Sequence, residues 1–196
     1  MFFLDDDGWE VVQTSSRGRG IATLKPITKG TVIGDYLGTV IDFAEFDLQE
    51  DAKGLYAMYY TDRVGIYPDV QSDDIHLINH SCDPNCWMYI YHGHTLFFAI
   101  RDITLGEELT ISYLLSPRDE LCAVCIHDCH CRRPHCSGTM HLTETQFIDW
   151  QIFQEKERKK TSTAPFVIGE PLAPLPLYPT TLPVDPIYQT LIGSMN

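Results

Sequence analysis

Hydrophobic residues up to about position 113 come in short runs, rich in β-branched and aromatic side chains and separated by glycine, proline and aspartate. Runs of this length and composition predict short strands. The predicted strands are 9–13, 20–23, 31–34, 39–42, 56–60, 64–66, 87–91, 96–100 and 109–112. The pattern predicts a mainly β fold of small curved sheets and argues against a doubly wound nucleotide-binding fold.

The longer connections between these strands carry local signals of their own. Strands 87–91 and 96–100 flank His92-Gly93-His94, which predicts a hairpin turn because glycine can take the positive φ that a tight turn requires. Only short helical turns fit elsewhere, around 45–51 and 73–78. The body of the chain is therefore predicted to hold no long helix.

The chain after position 142 follows a different pattern. Residues 143–160 predict one helix, with Thr143 able to cap its start and lysines at its end. The apolar contacts of this helix are predicted to come from Phe147, Trp150 and either Ile152 or Phe153. Residues 161–196 hold seven prolines, which exclude helix and inner strand and predict an extended or disordered tail.

Composition limits the class of protein. The 196 residues suffice for one domain and an appendage, and the 44% apolar content allows a buried core. Residues 1–128 carry the entire formal charge of −13, whereas the remainder is neutral. This charge disfavours direct binding of nucleic acid and favours a basic partner, with solubility alone as the alternative interpretation.

The hydropathy pattern does not predict a membrane-spanning segment. No run of about 18 apolar residues occurs, so no membrane contact is expected. The first ten residues lack the basic and apolar regions of a secretory signal, which predicts an intracellular protein, nuclear or cytoplasmic. Five of the seven cysteines fall between Cys122 and Cys136, and in a reducing compartment such a cluster indicates thiolate metal ligands.

Three segments carry dense chemistry. They are R-G-R-G-I at 17–21, L-I-N-H-S-C-D-P-N-C at 77–86, and A-I-R-D-I followed by G-E-E-L-T-I-S-Y at 99–113. Taken singly, they are compatible with a plain glycine turn, a loop that satisfies its own backbone, and a core tyrosine. Their order and spacing, together with D-Y-L-G-T-V-I at 35–41 and C-H-C-R-R-P-H-C-S-G at 129–138, are a far more specific signal.

Taken together, these motifs resemble the SET-domain family of protein lysine methyltransferases over roughly residues 9–142. The resemblance implies a SET fold of small curved β-sheets whose C-terminal strand threads beneath a preceding loop. It divides the chain into a SET domain at 9–115, a post-SET zinc-binding segment at 116–142, a helix at 143–160 and a proline-rich tail at 161–196. It does not extend to the helix or the tail.

The resemblance also implies the site residues. S-adenosylmethionine is expected to bind at Gly18, Arg19, Gly20, Tyr56, Asn79 and His80. Tyr113 matches the family's catalytic tyrosine, and Tyr36 would line the channel that admits the target lysine. Further channel residues would be Met88, Ile111, Met140 and Leu142. The expected reaction is methyl transfer to the ε-amine of a lysine in a basic, extended segment such as a histone tail.

The cysteine cluster predicts a structural zinc site. Cys129, Cys131 and Cys136 have the C-x-C-x4-C spacing of three ligands to one ion, and the resemblance supplies Cys82 as the fourth. Other ligand sets remain open, because the C-x2-C pair Cys122 and Cys125 or His135 could replace some of these. Cys86 is predicted to be a small core residue, and Cys122 and Cys125 are free thiols or a second site.

Several positions depart from the family pattern. His76 stands where an arginine is usual, Asp35 where glutamate is frequent, and Arg132 where the post-SET segment has glycine. Ile111 and Met88 lack a hydroxyl at positions where a pocket tyrosine can occur, which predicts that di- or trimethylation is allowed. The alternative to an enzyme is a catalytically weak, zinc-stabilised module of SET fold that binds peptides.

Overall fold

Short strands dominate the computed structural model, which describes residues 1–47, 56–61, 63–118, 125–158 and 166–184. Within these residues the strands are β1 (Trp9–Gln13), β2 (Arg19–Thr23), β3 (Val32–Asp35), β4 (Thr39–Asp42), β5 (Met58–Tyr59), β6 (Val64–Tyr67), β7 (Asn79–His80), β8 (Cys86–Tyr91), β9 (His94–Ala99) and β10 (Thr110–Ile111). They pair in small sheets of order β1-β2, β3-β9-β8, β4-β6-β5 and β10-β7. The predicted mainly β fold is confirmed: the ends of the predicted strands shift by at most two residues, and β7 is not among the predicted strands.

The predicted hairpin is β8–β9. Tyr91 pairs with His94, so the turn consists of His92 and Gly93, both with positive φ (50° and 85°). A two-residue turn of this kind matches the right-handed twist of the flanking strands. His94 therefore belongs to β9 instead of the turn, and its side chain is buried.

A pairing that local pattern does not predict joins β7 to β10 in parallel. Thr110 lies opposite Asn79, and Ile111 lies opposite His80. β7 follows a short 3-10 helix, Ile75–Leu77, within the predicted helical turn at 73–78. This long-range pairing brings the 77–86 and 99–113 motifs together, as the resemblance implies.

Two clusters of buried side chains form the core. The larger one gathers apolar residues of the sheets, such as Ile33, Phe97 and Ile111. The second packs Trp87 and Phe98 of the β8–β9 hairpin against Trp150, and it buries Leu142 and Leu182 as well. Each Leu, Phe or Ile side chain fully removed from water contributes about 1.5–3 kcal/mol.

The single helix that the described residues contain, α1 (Glu144–Arg158), packs on this second cluster. The Thr143 hydroxyl accepts from the Gln146 N–H at 3.3 Å, and the Gln146 side chain accepts from the Thr143 N–H at 2.8 Å, a reciprocal cap. Trp150 and Phe153 are buried, whereas Ile152 is 64% exposed. The structure thus selects Phe153 over Ile152 as the apolar contact.

The described part of the proline-rich stretch, 166–184, contains no helix and crosses the body of the protein. Thr181 forms a bridge to Thr31, and Pro171 forms a bridge to Thr39. The Tyr178 hydroxyl donates to Asp35 Oδ2 at 2.8 Å, deep beside His94. This part of the tail is therefore extended and packed on the sheets. The predicted turn at 45–51 lies partly outside the described residues.

Among the described residues, no helix has the length and apolar character needed to cross a bilayer.

Candidate active site

The glycine-rich turn at 17–20 lies against the β7–β10 pair. Gly18 has φ +71°, a conformation that glycine adopts without strain. A Cβ on Gly20 would stand 2.7 Å from Asn79 Nδ2 and 2.7 Å from Glu108 Oε1. Glycine at position 20 therefore allows the chain to approach these two polar groups.

Asn79 is fixed by two hydrogen bonds. Its Nδ2 donates to the Arg19 carbonyl at 3.0 Å and to Glu108 Oε1 at 3.0 Å. Arg17 completes the arrangement, since its guanidinium contacts Glu108 Oε2 at 2.5 Å and donates to the His80 carbonyl at 2.9 Å. The buried amide of Asn79 thus sits in a network that orients both the glycine turn and the Asn79-His80 strand.

Replacing Gly20 with alanine is expected to lower the free energy of unfolding by about 2 kcal/mol, because the new methyl group displaces the Asn79 amide from two hydrogen bonds of about 1 kcal/mol each. Urea denaturation measures the change. Gly106→Ala serves as a comparison without a steric clash, since no atom lies within 4 Å of its Cβ position, and its loss of stability measures the strain of a positive φ alone. A Gly20→Ala variant as stable as the wild-type chain would contradict this account.

Tyr113 follows β10 and lies beside His80. Its backbone N–H donates to His80 Nδ1 at 3.1 Å, and its hydroxyl donates to the Ile78 carbonyl at 3.2 Å. Burial, reinforced by Tyr56, raises the pKa of Tyr113 to about 12, so the hydroxyl stays protonated at neutral pH. The ring of His80 contacts that of Tyr113 edge-on at 5.4 Å.

The protonation state of His80 follows from its partners. Nδ1 accepts from the Tyr113 N–H, which leaves the ring proton on Nε2, 3.6 Å from the Cys82 sulfur. Burial, with a further contribution from Arg17, lowers the pKa of His80 to about 4. A neutral imidazole therefore links Tyr113 to the cysteine cluster.

Tyr36 and Tyr56 form a second aromatic group close to Tyr113. The Tyr36 hydroxyl donates to the Tyr56 carbonyl at 2.5 Å, and its ring stacks on Phe97. Burial raises the pKa of Tyr36 well above its ordinary value, and Tyr113 and Tyr56 add to the effect. The site thus offers two neutral phenol groups in an apolar setting.

His76, which stands in place of the family's arginine, is buried beneath Tyr56. The two rings meet edge-on at 5.4 Å, and neither ring nitrogen has a hydrogen-bond partner within the described residues. Burial lowers the pKa of His76, with opposing contributions from nearby charges such as Asp74. His76 is therefore neutral at pH 7, whereas the arginine that the resemblance predicts at this position would be a permanent cation.

The four predicted channel residues are not equally close to Tyr113. Ile111 belongs to the larger core cluster, against which Met88 and Tyr113 also pack. Leu142 is buried in the second cluster, and Met140 packs on the cysteines. Ile111 and Met88 thus share a cluster with Tyr113, whereas Met140 and Leu142 belong to other clusters of the described residues. A channel formed by all four stays a prediction.

The four predicted zinc ligands lie together. The sulfurs of Cys82, Cys129, Cys131 and Cys136 are all within 4.8 Å of one another, and Cys82 and Cys129 are 3.5 Å apart. Four thiolates tetrahedral about one Zn²⁺ would lie about 3.8 Å apart, given Zn–S bonds of about 2.3 Å. The donor set and its spacing therefore fit a closed structural zinc site.

The other candidate zinc ligands that the structure describes lie outside the four-cysteine cluster. Cys125 lies in a separate group with His127 and His141. His135 is exposed and belongs to neither group of the described residues. Cys122 lies outside the described residues. Cys86 is fully buried in the larger core cluster, as predicted.

Three further residues organise the site, although the motifs assigned no role to them. Arg17 and Glu108 form the ion pair described above, and Asn85 is fully buried between loops. Asn85 Nδ2 donates to the Glu108 carbonyl at 2.8 Å, and its Oδ1 accepts from the Thr110 N–H at 2.8 Å. All three lie within quoted motifs (R-G-R-G-I, P-N and G-E-E), but their partners are distant in sequence.

Comparison with known proteins agrees with this geometry. The SET domain family matches residues 18–114. Histone-lysine N-methyltransferase ash1 of Drosophila melanogaster is 32% identical over 145 residues, which are 68% of this chain and 6% of that protein. Histone-lysine N-methyltransferase NSD3 of Mus musculus is 33% identical over 166 residues, which are 77% of this chain and 11% of that protein.

A shorter match has higher identity. Histone-lysine N-methyltransferase SMYD3 of Homo sapiens is 37% identical over 107 residues, which are 49% of this chain and 23% of that protein. The chain thus spans less than a quarter of each of these three relatives. The matched region contains the glycine turn, the β7–β10 pair and Tyr113, and on this evidence the chain belongs to the SET-domain family.

Proposed function

We propose that this protein is an S-adenosylmethionine-dependent protein lysine N-methyltransferase. The observation that carries the proposal is the junction of β7 and β10 within a SET domain, where Asn79, His80 and Tyr113 meet. The relatives named above are histone-lysine N-methyltransferases, which supports the same reaction class. Because the chain spans a small part of those proteins, the activity is a proposal for this chain.

The cofactor is proposed to bind at the glycine turn and the residues beside it, where a ligand can approach the backbone closely. Gly18 has open space around its Cβ position, and Gly20 lies against Asn79, so the turn exposes backbone to a ligand. A cleft of about 200 Å³ adjoins it, lined by Arg17, Ser81 and Glu108 of the body and by Cys131–Arg133 of the cysteine segment. S-adenosylmethionine bound beside Gly18, Arg19, Gly20, Tyr56, Asn79 and His80 would supply a methyl group activated by its sulfonium.

The chain's own residues would then position the amine. The Tyr113 hydroxyl, neutral and held by the Ile78 carbonyl, can accept a hydrogen bond from the amine through its lone pairs. The apolar and phenolic walls formed by Tyr36, Tyr56 and Ile111 disfavour the ammonium form and lower the lysine pKa. Alignment of a neutral amine contributes several kcal/mol to catalysis of a displacement.

The substrate proposed is a basic segment of a protein such as a histone, which would place the reaction in the nucleus. The histone-lysine names of the relatives support this class. The formal charge of −13 over residues 1–128 supports it electrostatically, since a negative surface attracts a lysine-rich segment. A zinc ion on the four cysteines would hold segment 129–136 beside His80 through Cys82.

A direct test incubates the full chain with tritiated S-adenosylmethionine and core histones, with free lysine as the control substrate. Label on a histone band that is absent with free lysine supports protein lysine methylation. Absence of label on histones and on proteins of a lysate, from a chain that binds the cofactor by calorimetry, would favour the peptide-binding alternative and overturn the proposal.

The number of methyl groups transferred is expected to exceed one. Ile111 is buried near Tyr113 and has no hydroxyl to retain a water where the second and third methyl groups must fit. Intact-mass spectra at excess cofactor should show di- or trimethylated peptide from the wild-type chain and mainly monomethylated peptide from Ile111→Tyr. Ile111→Phe is the matched control, because it adds the same ring without the hydroxyl. Monomethyl product alone from the wild-type chain would contradict this prediction.

A further inference from the structure

A second group of metal-ligand side chains lies in the cysteine-rich segment, outside the four-cysteine cluster. The Cys125 sulfur is 3.5 Å from His127 Nδ1 and 3.1 Å from His141 Nε2. The three ligand atoms all lie within 4.8 Å of one another, and all three residues are half-buried. The group is therefore compact and also reachable from solvent.

The surroundings of His141 orient it as a ligand. Its Nδ1 is 2.6 Å from the Ser116 carbonyl, which can only accept, so the ring proton is on Nδ1. The lone pair of Nε2 consequently faces the Cys125 sulfur. A backbone carbonyl on the far nitrogen is the usual support of a metal-bound histidine, because it fixes both tautomer and ring orientation.

The Cys125 sulfur is also held in place by a backbone group. The His127 backbone N–H donates to it at 3.4 Å. The side-chain Nδ1 of His127 also contacts the same sulfur. One sulfur and two imidazole nitrogens thus lie close enough together to bind one ion.

Backbone pairing holds the ligands in register. The Met140 N–H donates to the His127 carbonyl at 2.9 Å, directly before His141 in sequence. The Leu142 N–H donates to the Leu115 carbonyl at 3.0 Å, and Leu115 bridges His141 in parallel. Backbone hydrogen bonds and bridges thereby hold together three segments, at 115–116, 125–127 and 139–142.

We propose that Cys125, His127 and His141 bind a second Zn²⁺ and are its ligands within the described part of the chain. Thiolate and imidazole are ligands of zinc, and tetrahedral bonds of about 2.3 Å to sulfur and 2.0–2.1 Å to nitrogen place S and N about 3.5 Å apart. The Cys125–His127 distance of 3.5 Å equals this value, and the Cys125–His141 distance of 3.1 Å is slightly shorter. The ion joins the three segments and fastens Met140 and Leu142 in place.

Zinc content tests this site independently of any methyltransferase activity. The full chain is loaded with Zn²⁺, desalted and analysed by mass spectrometry for metal per chain. We expect Cys125→Ser and His141→Asn each to hold one zinc fewer than the wild-type chain. His92→Asn is the matched control, because it removes an imidazole from the β8–β9 turn, where asparagine accepts the positive φ. Equal zinc content in all four proteins overturns the proposal.

A second measurement needs only the wild-type chain and so does not depend on variants that fold. Long-range ¹H–¹⁵N spectra of the eight histidine side chains are recorded before and after Zn²⁺ addition. Two rings are expected to shift to the pattern of a metal-bound nitrogen, and the His141→Asn and Cys125→Ser spectra assign them. A zinc-loaded chain in which no histidine ring shifts, or in which the shifted rings are unchanged in both variants, rules out the site, whatever the four cysteines bind.

Discussion

Replacing Tyr113 with phenylalanine is expected to reduce methyl transfer by about 100-fold or more, since small misplacement of a reacting group costs this much. The variant loses only the hydroxyl, which donates to the Ile78 carbonyl at 3.2 Å. Without it, nothing at that point orients the amine for in-line attack. Single-turnover assays with tritiated S-adenosylmethionine and a histone substrate measure the change, and calorimetry should show cofactor binding within a few-fold of wild type.

The fold is expected to survive this substitution, because one hydrogen bond contributes about 1 kcal/mol and the aromatic ring is retained. Tyr91→Phe is the matched control, since it removes a tyrosine hydroxyl from β8, at the hairpin end away from the β7–β10 pair. A Tyr113→Phe chain that is folded, binds cofactor and transfers methyl groups at the wild-type rate would remove Tyr113 from the catalytic role proposed here.

Loss of a zinc ligand is expected to reduce methyl transfer to a similar extent, because it releases a segment beside the site. Cys131→Ser should lose the zinc proposed for the four-cysteine cluster, whose binding in comparable small sites contributes about 10–16 kcal/mol of apparent free energy. Segment 129–136 is then released from Cys82, so that methyl transfer falls to background. Limited proteolysis should cut the released segment first, because the core clusters of the β-sheet body do not depend on it.

Cys86→Ala provides the control for a lost cysteine. Cys86 is fully buried in the larger cluster and is not among the four clustered sulfurs, so this variant should keep its zinc. Its loss of stability is expected to be about 1 kcal/mol, as for a typical small core change. A Cys131→Ser chain with unchanged zinc content and activity would refute the ligand assignment. Together the two variants separate metal binding from thiol burial.

Local patterns predicted every described strand except the two-residue β7, and they predicted the single α-helix. The two apolar runs and the His92-Gly93 turn between them predicted the β8–β9 hairpin, because glycine accepts the positive φ of a tight turn. The cap at Thr143 and the aromatic spacing at Trp150 and Phe153 did the same for α1. Where Ile152 and Phe153 competed, only the packed partner surface decided between them.

The motifs identified the chemistry of the site but not the contacts that hold it. Gly20 and Asn79 were recognised by resemblance, whereas the ion pair of Arg17 with Glu108 connects positions 91 residues apart. The position of Asn85 between Glu108 and Thr110 is likewise invisible to any local pattern. Side chains of this kind find their partners through the fold, since periodicity reports only which face of an element is buried.

The sequence by itself determined the mainly β architecture and three of the four clustered cysteines, because these depend on short-range spacing and residue type. The family and the fourth cysteine, Cys82, came from the resemblance of several motifs taken together. Tertiary structure alone decided that Asn79 pairs with Thr110, that Tyr178 reaches Asp35 from a proline-rich stretch, and that Cys125 joins two histidines. The physical reason is that such contacts are made across long loops. The entropy lost when these loops close is offset by the burial and hydrogen bonding of the complete fold.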